Sequence, residues 1–376
     1  MARHLALSIG GVVAAASVVA MLVNPGTAAP ASMRPVSGGT SISLKDISLR
    51  DGVSSFALAP SAADMQRVAS YWSPERLKQA SIYEPSTKPS PTAKTSTSAL
   101  EVGPALSARP TTASAAHGSA KDPSVPPMVG KVFFKVGDKE YWCSASAVHS
   151  PYKNLVATAG HCAFSLPQDK PVEDWIFIPS YHEGKADAGI YVGHTLYMHE
   201  DFAGQGDFDR DYAFVTVHRG FTWQPYTAGG KVQYRSVDAG LLEDKVGAFL
   251  FSSNKPIGRG VFAFGYPAGA QPDGSRPYSG QTVKMCYGVT EKRFAAAPTW
   301  QVEHGVRLPD CAFTSGASGG PWVIGYNSAK KTGYLNGITS LTWNLNGGGR
   351  VDAISSPYFN TLTQRVYQRA TRQSTS

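Results

Sequence analysis

Thr314-Ser315-Gly316-Ala317-Ser318-Gly319-Gly320-Pro321-Trp322 is the stretch of this chain best suited to carry chemistry. A serine hydroxyl is a weak nucleophile unless it lies beside a base, with neighbouring N–H groups free to face an oxyanion. Glycines on both sides of Ser318 supply that backbone freedom, because a residue without a Cβ reaches conformations other residues avoid. The same Gly-X-Ser-Gly-Gly pattern also occurs as a plain turn between strands. A base and an acid elsewhere in the chain must decide between the two.

Val156-Ala157-Thr158-Ala159-Gly160-His161-Cys162 places a histidine at the end of an apolar strand, beside a cysteine. A disulfide there would hold the backbone of a residue that must keep its ring in one orientation. His182, His194, His199, His218 and His304 lack such a setting and read as surface or strand-end residues. The acid should follow a loop and open a buried strand, so that its carboxylate meets the imidazole N–H in a protected place. Asp211, ahead of Tyr212-Ala213-Phe214-Val215, fits, with Asp207 and Asp209 as nearby competitors. Their spacing also suggests a calcium loop, but that loop needs glycine at 212 and glutamate at 218, where Tyr212 and His218 stand. Chain order then separates the serine hydrolases. The α/β-hydrolases place histidine after serine, and no histidine follows Ser318. A subtilisin order needs the acid before His161, where no convincing aspartate motif stands. His161, Asp211, Ser318 is the chymotrypsin order.

The 376 residues fill one or two domains, and a formal charge of +8 is spread over scattered Lys and Arg. No nucleic-acid footprint results. Arg3 and His4 precede an apolar run, Leu5 to Val23, and Ala29-Pro30-Ala31 fits a small-X-small cleavage site. Residues 1–31 read as a secretory signal peptide, with an uncleaved anchor as the alternative. No second apolar run of spanning length follows, so no stable membrane insertion is expected after cleavage. In an exported protein the four cysteines suggest two disulfides. Three pairings are open, and the simplest joins sequence neighbours, Cys143 with Cys162 and Cys286 with Cys311. A zinc site would favour a Cys-X-X-Cys pair, which is missing.

From Ser32 to Pro127 the chain is rich in Ser, Thr, Ala and Pro and reads as a propeptide or linker, largely disordered, above all over 86–128. Ala62 to Ala80 stands out. Ser73-Pro74-Glu75 reads as an N-cap with proline at the first helical position, and a short helical hairpin is expected over 62–80. It is either a docking element of a propeptide or a disordered segment with local helicity. From Met128 onward short strands are predicted at 132–136 and 141–148, joined by a tight turn, then at 155–157, 175–178, 190–192, 212–217, 261–264, 335–338 and 351–353. The class is all-β, an antiparallel barrel or sandwich. Ser356-Pro357 opens a predicted terminal helix over 358–369.

Thr158-Ala159-Gly160-His161-Cys162, Asp211-Tyr212-Ala213-Phe214-Val215, Gly316-Ala317-Ser318-Gly319-Gly320-Pro321 and Gly337-Ile338-Thr339-Ser340 together resemble the trypsin-like (chymotrypsin-fold) serine peptidases. Within them the likeness is to secreted bacterial members related to the glutamyl-endopeptidase branch, over roughly 129–371. The resemblance implies two six-stranded antiparallel β-barrels with the site between them. It implies Ser318 as nucleophile, His161 as general base and then acid, and Asp211 as the residue that orients His161. It further implies an oxyanion hole from the N–H groups of Gly316 and Ser318, support of Asp211 by Ser340, and a primary pocket at Ala312, Ser315 and Thr339, Ser340, Leu341 and Thr342.

The chain departs from that pattern in three places. Ala317 stands where animal members carry the aspartate that pairs with a new N-terminus, so that activation switch is absent. Cys311 lies seven residues before Ser318 rather than four. Thr339 replaces the pocket histidine of glutamate-specific relatives. With no carboxylate at Ala312 unless Asp310 reaches in, and Thr342 narrowing the pocket where many relatives have glycine, a small or uncharged P1 residue is expected. The reading is a secreted, extracellular endopeptidase of residues 128–376, made as a proenzyme, monomeric, with no metal or organic cofactor. Its partners are protein or peptide substrates and its own propeptide. The rival is a catalytically silent relative that uses the barrels to bind a partner.

Overall fold

The structure is a computed structural model that describes residues 52–86 and 125–375. The expected signal peptide at 1–31 and most of the low-complexity stretch lie outside the described residues.

Six strands close the first barrel. Val129–Val136 pairs with Lys139–Val148 across a turn in which Gly137 has φ +61°. Lys139–Val148 pairs with Leu155–Thr158, which pairs with Ala213–Val217, which pairs with Tyr191–His199. Glu173–Pro179 closes the ring by pairing with both Val129–Val136 and Tyr191–His199. Phe133-Phe134 and Trp175-Ile176-Phe177-Ile178 are buried throughout. That explains their continuous apolar sequence, since neither face of these strands meets water.

The second half is a half-barrel of two sheets. One carries Leu250–Phe251, Thr332–Ile338, Pro321–Asn327, Gly260–Gly265 and Lys284–Val289; the other carries Ala295–Ala297, Val302–Pro309, Ala353–Pro357 and Leu341–Trp343. Val261, Ala263 and Trp322 from the first sheet share a core with Leu308 and Ile354 from the second. The Cys286–Cys311 disulfide also links them. A hairpin, Gly220–Ala228 with Lys231–Gly240, was not among the expected strands. Its signal is Gly229-Gly230, both at positive φ, the turn chemistry a tight hairpin requires.

The terminal helix begins later than expected. Ser356-Pro357 belongs to a strand, with Pro357 opposite Gly305. Thr361–Ala370 is the helix, because the side chain of Asn360 accepts the N–H groups of Leu362 and Thr363. Its Tyr367 stacks on Phe251 at 4.2 Å.

Residues 52–86 fold onto the first barrel. Val53–Ala57 pairs with Tyr191–His199, and Ser81–Ile82 runs parallel to Lys139–Val148. Between them lie two helices, Ala62–Tyr71, capped by Ser61, and Pro74–Gln79, capped by Ser73 with Pro74 in the first turn. The helices occupy the stretch where a hairpin was expected. The flanking strands carried no sequence signal, because five and two residues pair with a partner far along the chain.

Candidate active site

Leu155–Thr158 ends in a short 3-10 turn, Gly160–Cys162, which carries His161. The turn is held on the barrel by the Cys143–Cys162 disulfide and by the Trp175 indole N–H, which donates to the Cys162 carbonyl at 3.2 Å. A second 3-10 turn, Phe208–Arg210, delivers Asp211 to the start of Ala213–Val217. Because that strand pairs with Leu155–Thr158, the two turns meet at one end of the sheet.

The backbone N–H of His161 donates to Asp211 Oδ1 at 2.8 Å, and His161 Nδ1 lies 2.8 Å from Asp211 Oδ2. Ser340 Oγ donates to the same Oδ2. Asp211 is fully buried and His161 almost so. A carboxylate that already receives a backbone N–H and a hydroxyl acts as an acceptor, so the ring proton sits on Nδ1. Nε2 then carries a lone pair. It is buried and has no hydrogen-bond partner among the described residues. Asp207 and Asp209 are spent elsewhere. Asp207 caps the turn through the Asp209 N–H, and the Asp209 carboxylate accepts the N–H groups of Glu303 and His304.

Ser318 stands in a loop clamped to the first barrel by a residue that sequence reasoning missed. The Ser144 N–H donates to the Ser318 carbonyl at 2.8 Å, and Ser144 Oγ donates to the Gly316 carbonyl at 2.7 Å while accepting the Tyr266 N–H. Nothing around Ser144 in sequence signals that role. Gly319 has φ +79°, and a Cβ there would lie 2.1 Å from Thr158 Oγ1. Only glycine fits. Among the described residues the N–H groups of Gly316 and Ser318 make no hydrogen bond. Two unpaired donors beside a serine are what a developing oxyanion requires.

A cavity of about 280 Å³ opens beside Ser318, lined by Ser315, Ser340, Leu341, Thr342, Trp343, Ala297 and Trp300 and by Glu84 and Pro85. The structure thus gathers Ser315, Ser340, Leu341 and Thr342 around Ser318. Ala312 and Thr339 are not in the lining. Thr339 is buried with its hydroxyl accepting the Trp322 indole N–H at 3.0 Å, so its side chain serves the core. The Ala312 carbonyl accepts from Gln271. Asp310 is exposed at the end of Val302–Pro309 and is also absent from the lining. Ala297, Trp300 and Trp343 were not anticipated, because their places depend on how the two sheets of the second half meet.

The four cysteines form the neighbour pairs, Cys143–Cys162 and Cys286–Cys311. Cys143, His161 and Cys162 lie close enough together to hold a metal ion, but their sulfurs are bonded to each other, and thiolate is the form that ligates. Of the remaining histidines, His199 ends a strand and accepts the Asp201 N–H through Nδ1. No described helix is long and apolar enough to cross a membrane.

The chain is similar to the protease Anisep from Arthrobacter nicotinovorans, with 29% identity and a TM-score of 0.52 over 66% of this chain and 97% of that one. It is equally similar to AL20, a thermostable serine protease from an extremophilic microorganism, at 28% identity and a TM-score of 0.52, covering 67% and 100%. A solved Glu endopeptidase overlaps it at 14% identity and a TM-score of 0.47, over 69% and 96%. No family model and no curated protein matches the chain. Fold and neighbours together make it a serine peptidase of the chymotrypsin fold.

Proposed function

We propose that this protein is a secreted serine endopeptidase, made as a proenzyme, which hydrolyses peptide bonds through His161, Asp211 and Ser318. The observation that carries the reading is the buried Ser340–Asp211–His161 chain of hydrogen bonds; His161 Nε2 at its end has no hydrogen-bond partner among the described residues, Ser318 Oγ included, and so is free to accept. That lone pair takes the Ser318 proton as Oγ attacks the scissile carbonyl, and Asp211 stabilises the imidazolium that forms. The carbonyl oxygen, now negative, is received by the N–H groups of Gly316 and Ser318. His161 next donates its proton to the leaving amine, which departs and leaves an acyl-enzyme on Ser318. Water, deprotonated by His161, attacks the ester and releases the acid. No metal or organic cofactor is needed for these steps.

The cavity walls contributed by the peptidase domain carry no charged side chain; Ala297, Trp300, Leu341 and Trp343 share them with the hydroxyls of Ser315, Ser318, Ser340 and Thr342. This favours a small or uncharged P1 residue. Export is supported by the sequence of residues 1–31 and by two disulfides, which persist in oxidising compartments. The proenzyme reading is supported by the solved relatives, which match nearly their whole length with two thirds of this chain.

Labelling with a fluorophosphonate tests the triad. An adduct on Ser318, abolished by Ser318→Ala and by His161→Ala, is the expected result. No adduct in any processed form would leave the barrels as a binding scaffold.

A further inference from the structure

We propose that residues 52–86 are a built-in inhibitor that lies across the active site in the direction opposite to a substrate. The proposal rests on the triad chemistry above.

The segment is fastened at points remote from the cleft. Val53–Ala57 adds a strand beside Tyr191–His199. Trp72 is buried against Phe133, with its indole N–H donating to the Asp174 carbonyl at 2.6 Å. Arg67 pairs with the buried carboxylate of Asp174, and Arg76 and the Tyr71 hydroxyl both meet Glu140. From there the chain runs toward the site. Ser81–Ile82 lies parallel to Tyr141–Trp142, and the Tyr83 N–H donates to the Trp142 carbonyl at 3.1 Å. The Tyr83 ring is buried on Phe134 and Tyr141, and it lies nearly parallel to the His161 imidazole at 6.3 Å. Glu84 and Pro85 then reach the cavity that holds Ser318.

Chain direction follows from the chemistry. His161 must protonate the leaving amine, so the C-terminal half of a substrate departs past His161; with the cavity by Ser315 and Thr342 taken as the primary pocket, the N-terminal, acyl half lies there. A substrate therefore runs from cavity to His161. Residues 83–85 run from His161 to cavity. Any carbonyl of this segment presented to Ser318 has its amide nitrogen on the side away from His161, so the amine cannot be protonated and the bond stays intact. A sequence lying in the cleft thus blocks it without being consumed.

A second consequence concerns activation. The contacts from Val53 to Tyr83 do not depend on the covalent connection to Val125. Cutting between Ser86 and Val125 leaves the cleft covered until the segment dissociates or is degraded.

The test uses the full chain, with the rate of fluorophosphonate addition to Ser318 followed by intact mass and a thermal midpoint recorded for each variant. Wild type and Tyr83→Phe should label slowly, and Tyr83→Ala at least about tenfold faster, as the covered population falls. If Tyr83→Ala does not fold, Arg67→Ala, which alters a half-exposed fastening point, carries the same comparison. Wild type that labels as fast as the folded variant overturns the inhibitor and leaves the triad standing. No label on Ser318 in any variant overturns the triad, and the inhibitor with it. In dilute samples held until an added peptide substrate is consumed, mass spectrometry should find the Tyr83–Glu84 and Glu84–Pro85 bonds uncut. Cleavage at either overturns the reversed direction.

Discussion

The hydroxyl of Ser340 donates to Oδ2 of Asp211 at 2.5 Å, the oxygen that also faces His161 Nδ1, although the two residues lie 129 positions apart. One belongs to the second half of the molecule and the other to the first barrel. The docking of the halves therefore sets the orientation of the imidazole. Removing the hydroxyl in Ser340→Ala should lower kcat by about tenfold with KM little changed, the scale of one hydrogen bond to a charged group. Asp211→Asn should cost about 10⁴-fold in kcat, because the amide no longer selects the Nδ1–H tautomer. Steady-state kinetics on a peptide anilide separates the two.

The Cys143–Cys162 bond closes a 19-residue loop and pins the turn that carries His161. Replacing both cysteines by alanine should cost about 3 kcal/mol of stability by loop entropy and slow acylation as well. Replacing Cys286 and Cys311, which close a loop of 25 residues away from His161, should cost a similar stability with a smaller effect on acylation. Urea unfolding beside single-turnover kinetics makes the comparison.

Gly319→Ala should abolish activity. The residue has φ +79°, and the added methyl would sit 2.1 Å from Thr158 Oγ1 and 2.3 Å from the Ser144 carbonyl. The Ser318 loop must move off Ser144 to accept it, a change worth several kcal/mol. A loss of fluorophosphonate labelling in a protein that remains folded by circular dichroism is the expected result.

Thr342 is exposed at the rim of the Ser318 cavity. Thr342→Gly should widen it and raise kcat/KM for Leu and Phe at P1 relative to Ala, by roughly 10-fold for each well-buried methylene. A para-nitroanilide series cut preferentially after charged residues would refute the proposed pocket.

Lys131 is buried with its ammonium over the Trp142 ring, 3.4 Å from the centroid, and near Tyr181. Burial holds its pKa well below the ordinary lysine value. At pH below the folded pKa both states carry the charge, and the cost of burying it is complete. As pH rises through the folded pKa the native lysine is neutral, and the cost shrinks until it vanishes above the unfolded pKa. Lys131→Met should therefore stabilise the protein most at about pH 6 and least at about pH 10, around the unfolded lysine range. Chemical denaturation at both values reads the difference.

Local signals carried much of this molecule. Strands with a run of apolar residues and a tight turn, such as Val129–Val136 and Lys139–Val148, were legible because both faces are covered and the turn residues have a distinct chemistry. Ser73-Pro74 was legible as a helix start because capping is a local hydrogen bond. Pro357 misled, since a proline at a strand end and one in a first helical turn look alike in sequence. The strands Val53–Ala57 and Ser81–Ile82 were silent, because their stability comes from partners far along the chain.

By itself the sequence determined the fold class and the candidate site: the order His161, Asp211, Ser318 and the glycines around Ser318 restrict the fold that could assemble them as a triad. Only the tertiary structure decided what surrounds these groups. Ser144 clamping the Ser318 loop, Thr339 turned into the core, and Tyr83 seated by His161 all arise from packing between distant segments. Such contacts leave no local trace, because each depends on a neighbour that only the folded barrels bring within reach.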